Sequence, residues 1–109
     1  MFNKLLINFF ILIIVSSASY GYTPKEQVIQ FNRCVGCYLK RVSFVQLDLT
    51  NADLHNANLE YANFRSATLY KANLSGAKLT GAQFSGALWI DGVSICQEGS
   101  VGTCIKKEQ

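Results

Sequence analysis

The 109-residue chain holds one histidine, one proline and one tryptophan, and only 16% of its residues are charged. Each scarcity removes a class of function. With His55 alone, the two-histidine HExxH metal motif is absent, as are the phosphate-cradling glycine loop and the dinucleotide fingerprint. No serine or cysteine arrangement visibly serves His55, so a hydrolytic triad or acid–base site has little to rest on. The formal net charge is +3, and Lys40, Arg41, Arg65, Lys71 and Lys78 are scattered rather than gathered into a stripe with interleaved aromatics. That argues against nucleic-acid binding. Cysteine is missing from the whole middle of the chain and is confined to Cys34, Cys37, Cys96 and Cys104.

What fills the middle is a beat of five. From Leu47 the chain reads LDLTN, ADLHN, ANLEY, ANFRS, ATLYK, ANLSG, AKLTG, AQFSG, ALWID. One position is Leu, Phe or Trp each time: Leu49, Leu54, Leu59, Phe64, Leu69, Leu74, Leu79, Phe84 and Trp89. Two residues earlier stands Ala, from Ala52 through Ala87. A helix needs apolar residues near a period of 3.6 and a flat strand near 2, so five fits neither. A chain that turns a corner at each repeat fits. Each short side then points one large and one small residue inward, and coils bury their interior by stacking.

The A(D/N)Lxx pattern over Leu47–Asp91 closely resembles the pentapeptide repeat family. It extends less cleanly back through CYLKR and VSFVQ, with Leu39 and Phe44 at the central position. The resemblance implies an all-β fold: a right-handed quadrilateral β-helix with four repeats per coil and coils stacked ~4.8 Å apart. The repeat region is read as residues 37–91, just under three coils. Residues twenty apart then stack: Phe44, Phe64 and Phe84; Leu49, Leu69 and Trp89; Leu39, Leu59 and Leu79; Leu54 and Leu74. Trp89 is the core residue nearest the closing end, because Gly92, Val93 and Ser94 no longer follow the motif. Gly76, Gly81 and Gly86 hold the repeat's last position, where a type II turn favours glycine. Asn51, Asn56, Tyr61, Ser66 and Lys71 hold it earlier, which suggests a different turn at those corners.

Residues 1–21 read as a secretory signal: Lys4, then the apolar run Leu5–Val15, then small residues that suit cleavage after Ala18 or Gly21. The run is short for a membrane span. Its removal takes Lys4 with it and leaves nine basic against seven acidic residues, a net charge near +2. Residues 22–36 read as a capping helix and turn. Thr23 caps, Pro24 suits the first helical position and Glu26 completes a capping box. Residues 92–109 form a closing tail. Both ends of a solenoid need such caps, since an open coil exposes backbone groups and apolar core.

An even cysteine count in a small exported protein favours disulfides. Three pairings are open. The local one, Cys34–Cys37 with Cys96–Cys104, is preferred, and the RCVGCYL and QEGSVGTC ends are similar to terminal segments of small exported family members. Cys34-Val35-Gly36-Cys37 is also a CxxC, the basis of an alternative reading as a thiol–disulfide redox protein. Here, however, it follows a helix instead of opening one, the wrong end for lowering a thiol pKa. A zinc site of four cysteines requires the two ends to meet.

Family members that mimic duplex DNA and bind gyrase resemble this chain in fold, but mimicry needs a long acidic surface. The strongest surface candidate is an outward cluster of Leu88, Ile90, Tyr70 and Thr50, with Tyr61 on a neighbouring repeat. It suits a homodimer or a protein partner, unless the tail, with Val101 and Ile105, covers it. The resulting expectation is a non-enzymatic exported domain, periplasmic or extracellular, structural or interacting with proteins. A further alternative is a secreted effector binding a host or competitor protein. No cofactor, metal, nucleic acid or small-molecule substrate is expected, and no membrane contact once the leader is removed.

Overall fold

In the computed structural model, which describes residues 21–107, parallel bridges join positions twenty apart. They run from Arg33–Asp53 and Tyr38–Asn58 through Asn63–Gln83 and Thr68–Leu88. The result is a β-helix. The leader read at residues 1–21 lies outside the described residues except for Gly21.

Backbone accounting shows why five residues make one side. The repeat containing Leu54 is typical. Ala52 N–H donates to Leu49 O and closes the corner, while Asp53 N–H donates back to Asn32 O. Leu54 N–H and Asn56 N–H donate forward to Asn73 O and Ser75 O in the next coil. The fifth N–H, that of His55, points to neither coil and is taken by the Asp53 carboxylate at 3.4 Å. The same side-chain bond recurs at Asp48, Asn58, Asn63 and Asn73, each accepting from the N–H two residues on. That local bond is the physical reason for Asp or Asn before the central leucine. Every donor of the Leu54 repeat is thereby satisfied, as a packed backbone requires.

The corners from Arg41 to Gly86 share one turn. Arg41, Gln46, Asn51, Asn56, Tyr61, Ser66 and Lys71 have φ between 58 and 64°, and Gly76, Gly81 and Gly86 between 71 and 77°. Positive φ falls only on the third residue of each four-residue turn, as in type II. The different turn expected at the non-glycine corners is therefore not used. The left-handed region costs a side-chain-bearing residue about 1–2 kcal/mol. At each non-glycine corner the strain is offset by the turn bond and a ladder bond. The glycines have a second reason. A Cβ at Gly81 would run into the ring of Tyr61, and one at Gly76 into the side chain of Asn56, both leaning up from the coil beneath.

The columns stack as the spacing implies. Phe44, Phe64 and Phe84 are fully buried, with ring centroids 5.1 and 5.2 Å apart and planes 15 and 7° from parallel. Trp89 meets Phe84 edge-on at 5.1 Å and 84°. The coil register begins earlier than the Cys37 boundary. Arg33 bridges to Asp53 and Cys34 N–H donates to Asp53 O, so Cys34 holds a central position beneath Leu54 and the first coil is complete rather than truncated. Sequence reasoning missed this repeat because its large residue is a buried cysteine.

Helix α1 (Pro24–Phe31) sits at the start of the first coil. Thr23 Oγ1 accepts from Glu26 N–H while Glu26 Oε2 accepts from Thr23 N–H, completing the capping box. Val28 and Cys34 are buried at this end, and Asn32, left-handed at the helix C-cap, ties it down by donating from Nδ2 to Thr50 O at 2.8 Å. At the far end the last turn slips by one residue, with positive φ at Gly92 in place of Asp91. The chain then doubles back antiparallel along the final coil, pairing Ile95 with Leu88 and Val101 with Gln83.

Candidate functional site

Four sides follow from the register, named here by their central residues. The side of Leu49, Leu69 and Trp89 carries the sequence candidates. Outward on it stand Asp48, Thr68 and Leu88 before the central residues, and Thr50, Tyr70 and Ile90 after them. Near the closing end this side is apolar. Tyr70 is 38% exposed and Ile90 37%, with Leu88 half-buried between them and the tail. The doubled-back tail enlarges the patch. Ile95, bridged to Leu88, is 53% exposed, and Val93 in the connecting turn is 79% exposed.

Two of the sequence candidates lie outside the closing-end patch. Thr50 is half-buried two coils below Ile90, with its hydroxyl and N–H both given to Asp48. Tyr61 occupies the corner between the Leu59 and Phe64 sides, away from the patch, with Arg41 4.9 Å and Lys40 5.9 Å from its ring centroid. Its ring fills the space a Cβ would need at Gly81. Ile95 and Val93 were missed because nothing in the sequence shows which way the tail returns. Val101 and Ile105 do not cover the patch. The tail caps the end of the coil instead of its face, and both residues remain exposed.

Polar anchoring of the tail centres on Asp91. Its carboxylate accepts from Val93 N–H at 3.0 Å, Ser94 N–H at 2.8 Å, Ser94 Oγ at 2.7 Å and Lys106 Nζ at 3.0 Å. The Ser94 bonds first, then those from Val93 and Lys106, hold its carboxyl well below the usual carboxylate range. Beneath the tail, Cys96 is bonded to Cys104. Both are buried, as is Ser100, whose hydroxyl donates to Gln97 O and accepts from Ile105 N–H.

The remaining candidates are engaged in local bonds. Cys34 is bonded to Cys37, and Cys34 is buried in the interior. The pair follows the C-terminus of α1, the end that does not favour a thiolate. His55 Nδ1 lies 2.6 Å from Asp53 Oδ1, and that contact, above all else, lowers the Asp53 carboxyl from its ordinary value. Coil stacking sets Ser75 beyond His55, a juxtaposition the linear sequence conceals. The Ser75 hydroxyl donates to Asn73 Oδ1 at 2.6 Å instead of engaging the imidazole. Among the described residues there is no group of three or more His, Cys, Asp or Glu suited to a metal ion. None of their helices is long and apolar enough to cross a membrane.

The family profile described as pentapeptide repeats matches residues 33–70 and 48–86, with eight copies. No curated protein matches the chain. Among solved structures, it is similar to HetL, a pentapeptide repeat protein involved in heterocyst differentiation regulation from the cyanobacterium Nostoc sp. strain PCC 7120. The match has 37% identity over 58% of this chain and 32% of that one, with a TM-score of 0.29. A pentapeptide repeat protein of the Arabidopsis thaliana thylakoid lumen matches at 23% identity over 67% of this chain and 48% of its own, TM-score 0.29. Rfr23 of the cyanobacterium Cyanothece 51142 matches at 21% over 59% and 85%, TM-score 0.29. The chain thus spans about a third to a half of the first two structures. With the beat of five, coils of twenty and one turn at the corners from Arg41 to Gly86, the chain belongs to the pentapeptide repeat family.

Proposed function

We propose that this chain is an exported, non-enzymatic protein-interaction domain, a right-handed four-sided β-helix that associates with a second copy of itself through its apolar face. One observation carries the reading: Tyr70, Leu88 and Ile90 line up at the closing end of one side, and Ile95 and Val93 from the tail widen the same patch. Contiguous exposed apolar residues on a flat β face favour association, and two such faces pack at ~10 Å. Export is supported by the apolar run Leu5–Val15 with small residues after it, and by two disulfides in so short a chain. Periplasmic or extracellular residence follows from that export. The same patch suits a protein of a host or competitor if the chain is a secreted effector.

Sedimentation of the exported protein over a range of concentrations tests this, alongside Ile90→Glu. The expected result is a concentration-dependent dimer that Ile90→Glu reduces to monomer. A monomer at every concentration refutes self-association through this face. Intact mass before and after reduction tests export. Loss of the first 18 or 21 residues with both disulfides formed is expected; retention of Lys4 and the apolar run overturns it.

A further inference from the structure

The backbone accounting leaves a remainder at one place on the closing coil. Each side of a coil offers the next coil two N–H groups, from the central residue and the corner residue, and one carbonyl, from the alanine. On the Phe84 side these meet the tail: Phe84 N–H donates to Ser100 O, Gly86 N–H to Cys96 O, and Gly102 N–H to Ala82 O. On the Trp89 side, Trp89 N–H donates to Ser94 O and Cys96 N–H to Ala87 O. The other two sides receive no hydrogen bond from the tail, which approaches them where Gly102 lies against the Leu79 carbonyl. Leu74, Gly76, Leu79 and Gly81 N–H have no acceptor, and Ala72 and Ala77 carbonyls no donor, among the described residues. The equivalent groups one coil below, at Leu54, Asn56, Leu59 and Tyr61, and at Ala52 and Ala57, are all paired. Leu74 and Leu79 are correspondingly half-exposed, where Leu54 and Leu59 are fully buried.

From this we infer that residues 72–81 form a docking edge for an extended, acidic segment of a partner protein, which adds to the ladder as the tail does on the other two sides. The edge supplies the backbone half of a strand addition, six groups aimed out of the last coil. Alternate residues of the incoming strand close over Leu74 and Leu79. Charge selects the occupant. Residues 71–82 carry Lys71 and Lys78 and no aspartate or glutamate, and both lysines are exposed. A second copy paired antiparallel about Lys78 would set lysine against lysine, and like charges directly opposite are destabilising. A segment with acidic residues on its outward positions places opposite charge there. The first coil also has unpaired rim groups, but α1 seals the interior at that end and offers a strand no apolar floor.

The test uses the full chain with both disulfides formed, isotope-labelled, and a short synthetic peptide alternating valine and glutamate. Expected are saturable shifts of the Leu74, Gly76, Leu79 and Gly81 amides, slowed exchange at the same four, and weakening by salt. A peptide with lysine for glutamate binds more weakly. N-methylation of the peptide's ladder amides, which keeps the charge and removes donors, weakens binding by about tenfold or more. Lys71→Glu with Lys78→Glu reverses the preference toward the lysine peptide. The proposal is overturned if the four amides do not move or if the N-methylated peptide binds as well as its parent. It is equally overturned if the four amides shift with protein concentration alone, which assigns the edge to a second copy. Repeating the titration on Ile90→Glu separates this edge from the apolar face, since loss of self-association there leaves the four amides free to report.

Discussion

The two ends of this solenoid solve one problem by different means. At the start, α1 lies over the first coil, and Leu39, Phe44 and Leu49 beneath it are buried almost completely. At the finish, an antiparallel strand runs along the coil edge and continues its ladder, yet Leu74, Leu79 and Trp89 stay half-exposed. A helix covers area but uses its own backbone groups internally, so it seals the core without completing the ladder. At that end Tyr38, Ser43 and Asp48 N–H find no acceptor among the described residues. A strand completes the ladder only as far as it reaches, here two sides of four. Each end is stapled by a disulfide, three residues apart at the start and eight at the finish.

The largest test belongs to what both ends protect. Phe64 is the middle ring of the aromatic column, and Phe64→Ala is expected to cost about 3–5 kcal/mol through lost transfer energy and the cavity left behind. Urea unfolding should show this loss as a lower midpoint. If both caps act on one cooperative core, a single transition persists; two transitions would separate the ends.

The disulfides rank the caps. Loop-closure entropy assigns the longer Cys96–Cys104 loop about 2–3 kcal/mol and the Cys34–Cys37 loop about 1.5–2 kcal/mol. Paired serine substitutions at each site, compared by thermal unfolding, should destabilise the closing end more. The reverse order would mean that α1 depends on its staple in a way the helix contacts do not reveal.

Crowding at a corner comes next. Gly81→Ala forces a methyl against the Tyr61 ring and is expected to cost about 1–3 kcal/mol as overpacking. Part of that cost should be recovered in the Tyr61→Ala background, a coupling that a double-mutant cycle measures. If the cost is unchanged in that background, backbone strain alone explains the glycine.

Acid should loosen the two ends unequally. The Asp91 carboxyl is lowered by its bonds to Ser94, Val93 and Lys106, and Glu26 by its bonds to Thr23. A lowered folded-state pKa contributes stability that is present above the unfolded value of about 4 and disappears as pH falls through the folded one. Protection of the Ser94 and Cys96 amides, taken relative to their intrinsic exchange rates, should therefore fall as pH drops below about 4, and Asp91→Asn should show reduced protection already at neutral pH. His55→Ala is expected to be nearly silent, within about 0.5 kcal/mol. Its ring is half-buried and bonds the half-buried Asp53 carboxylate.

The beat of five carried most of this architecture. Central residues at fixed spacing determine the columns, because stacking in coils of twenty brings Phe44, Phe64 and Phe84 together in the interior. Thr23, Pro24 and Glu26 marked the helix start, since capping is local in sequence. The first repeat was hidden because Cys34 takes the place of a leucine. The uniform turn was hidden because asparagine, tyrosine, serine and lysine at the corners give no sign of positive φ until the ladder bonds hold them there.

Local spacing therefore determined the period, the interior and the cap. Tertiary structure alone decided the path of the tail. Residues 92–107 carry no repeat, so their course depends on long-range bonds to Ala82, Phe84, Ala87 and Trp89 and on the Cys96–Cys104 link. That path brings Ile95 beside Leu88 and leaves Leu74 and Leu79 at an open edge. Which surfaces the protein presents follows from where a non-repeating strand stops, and no residue in the strand announces that on its own.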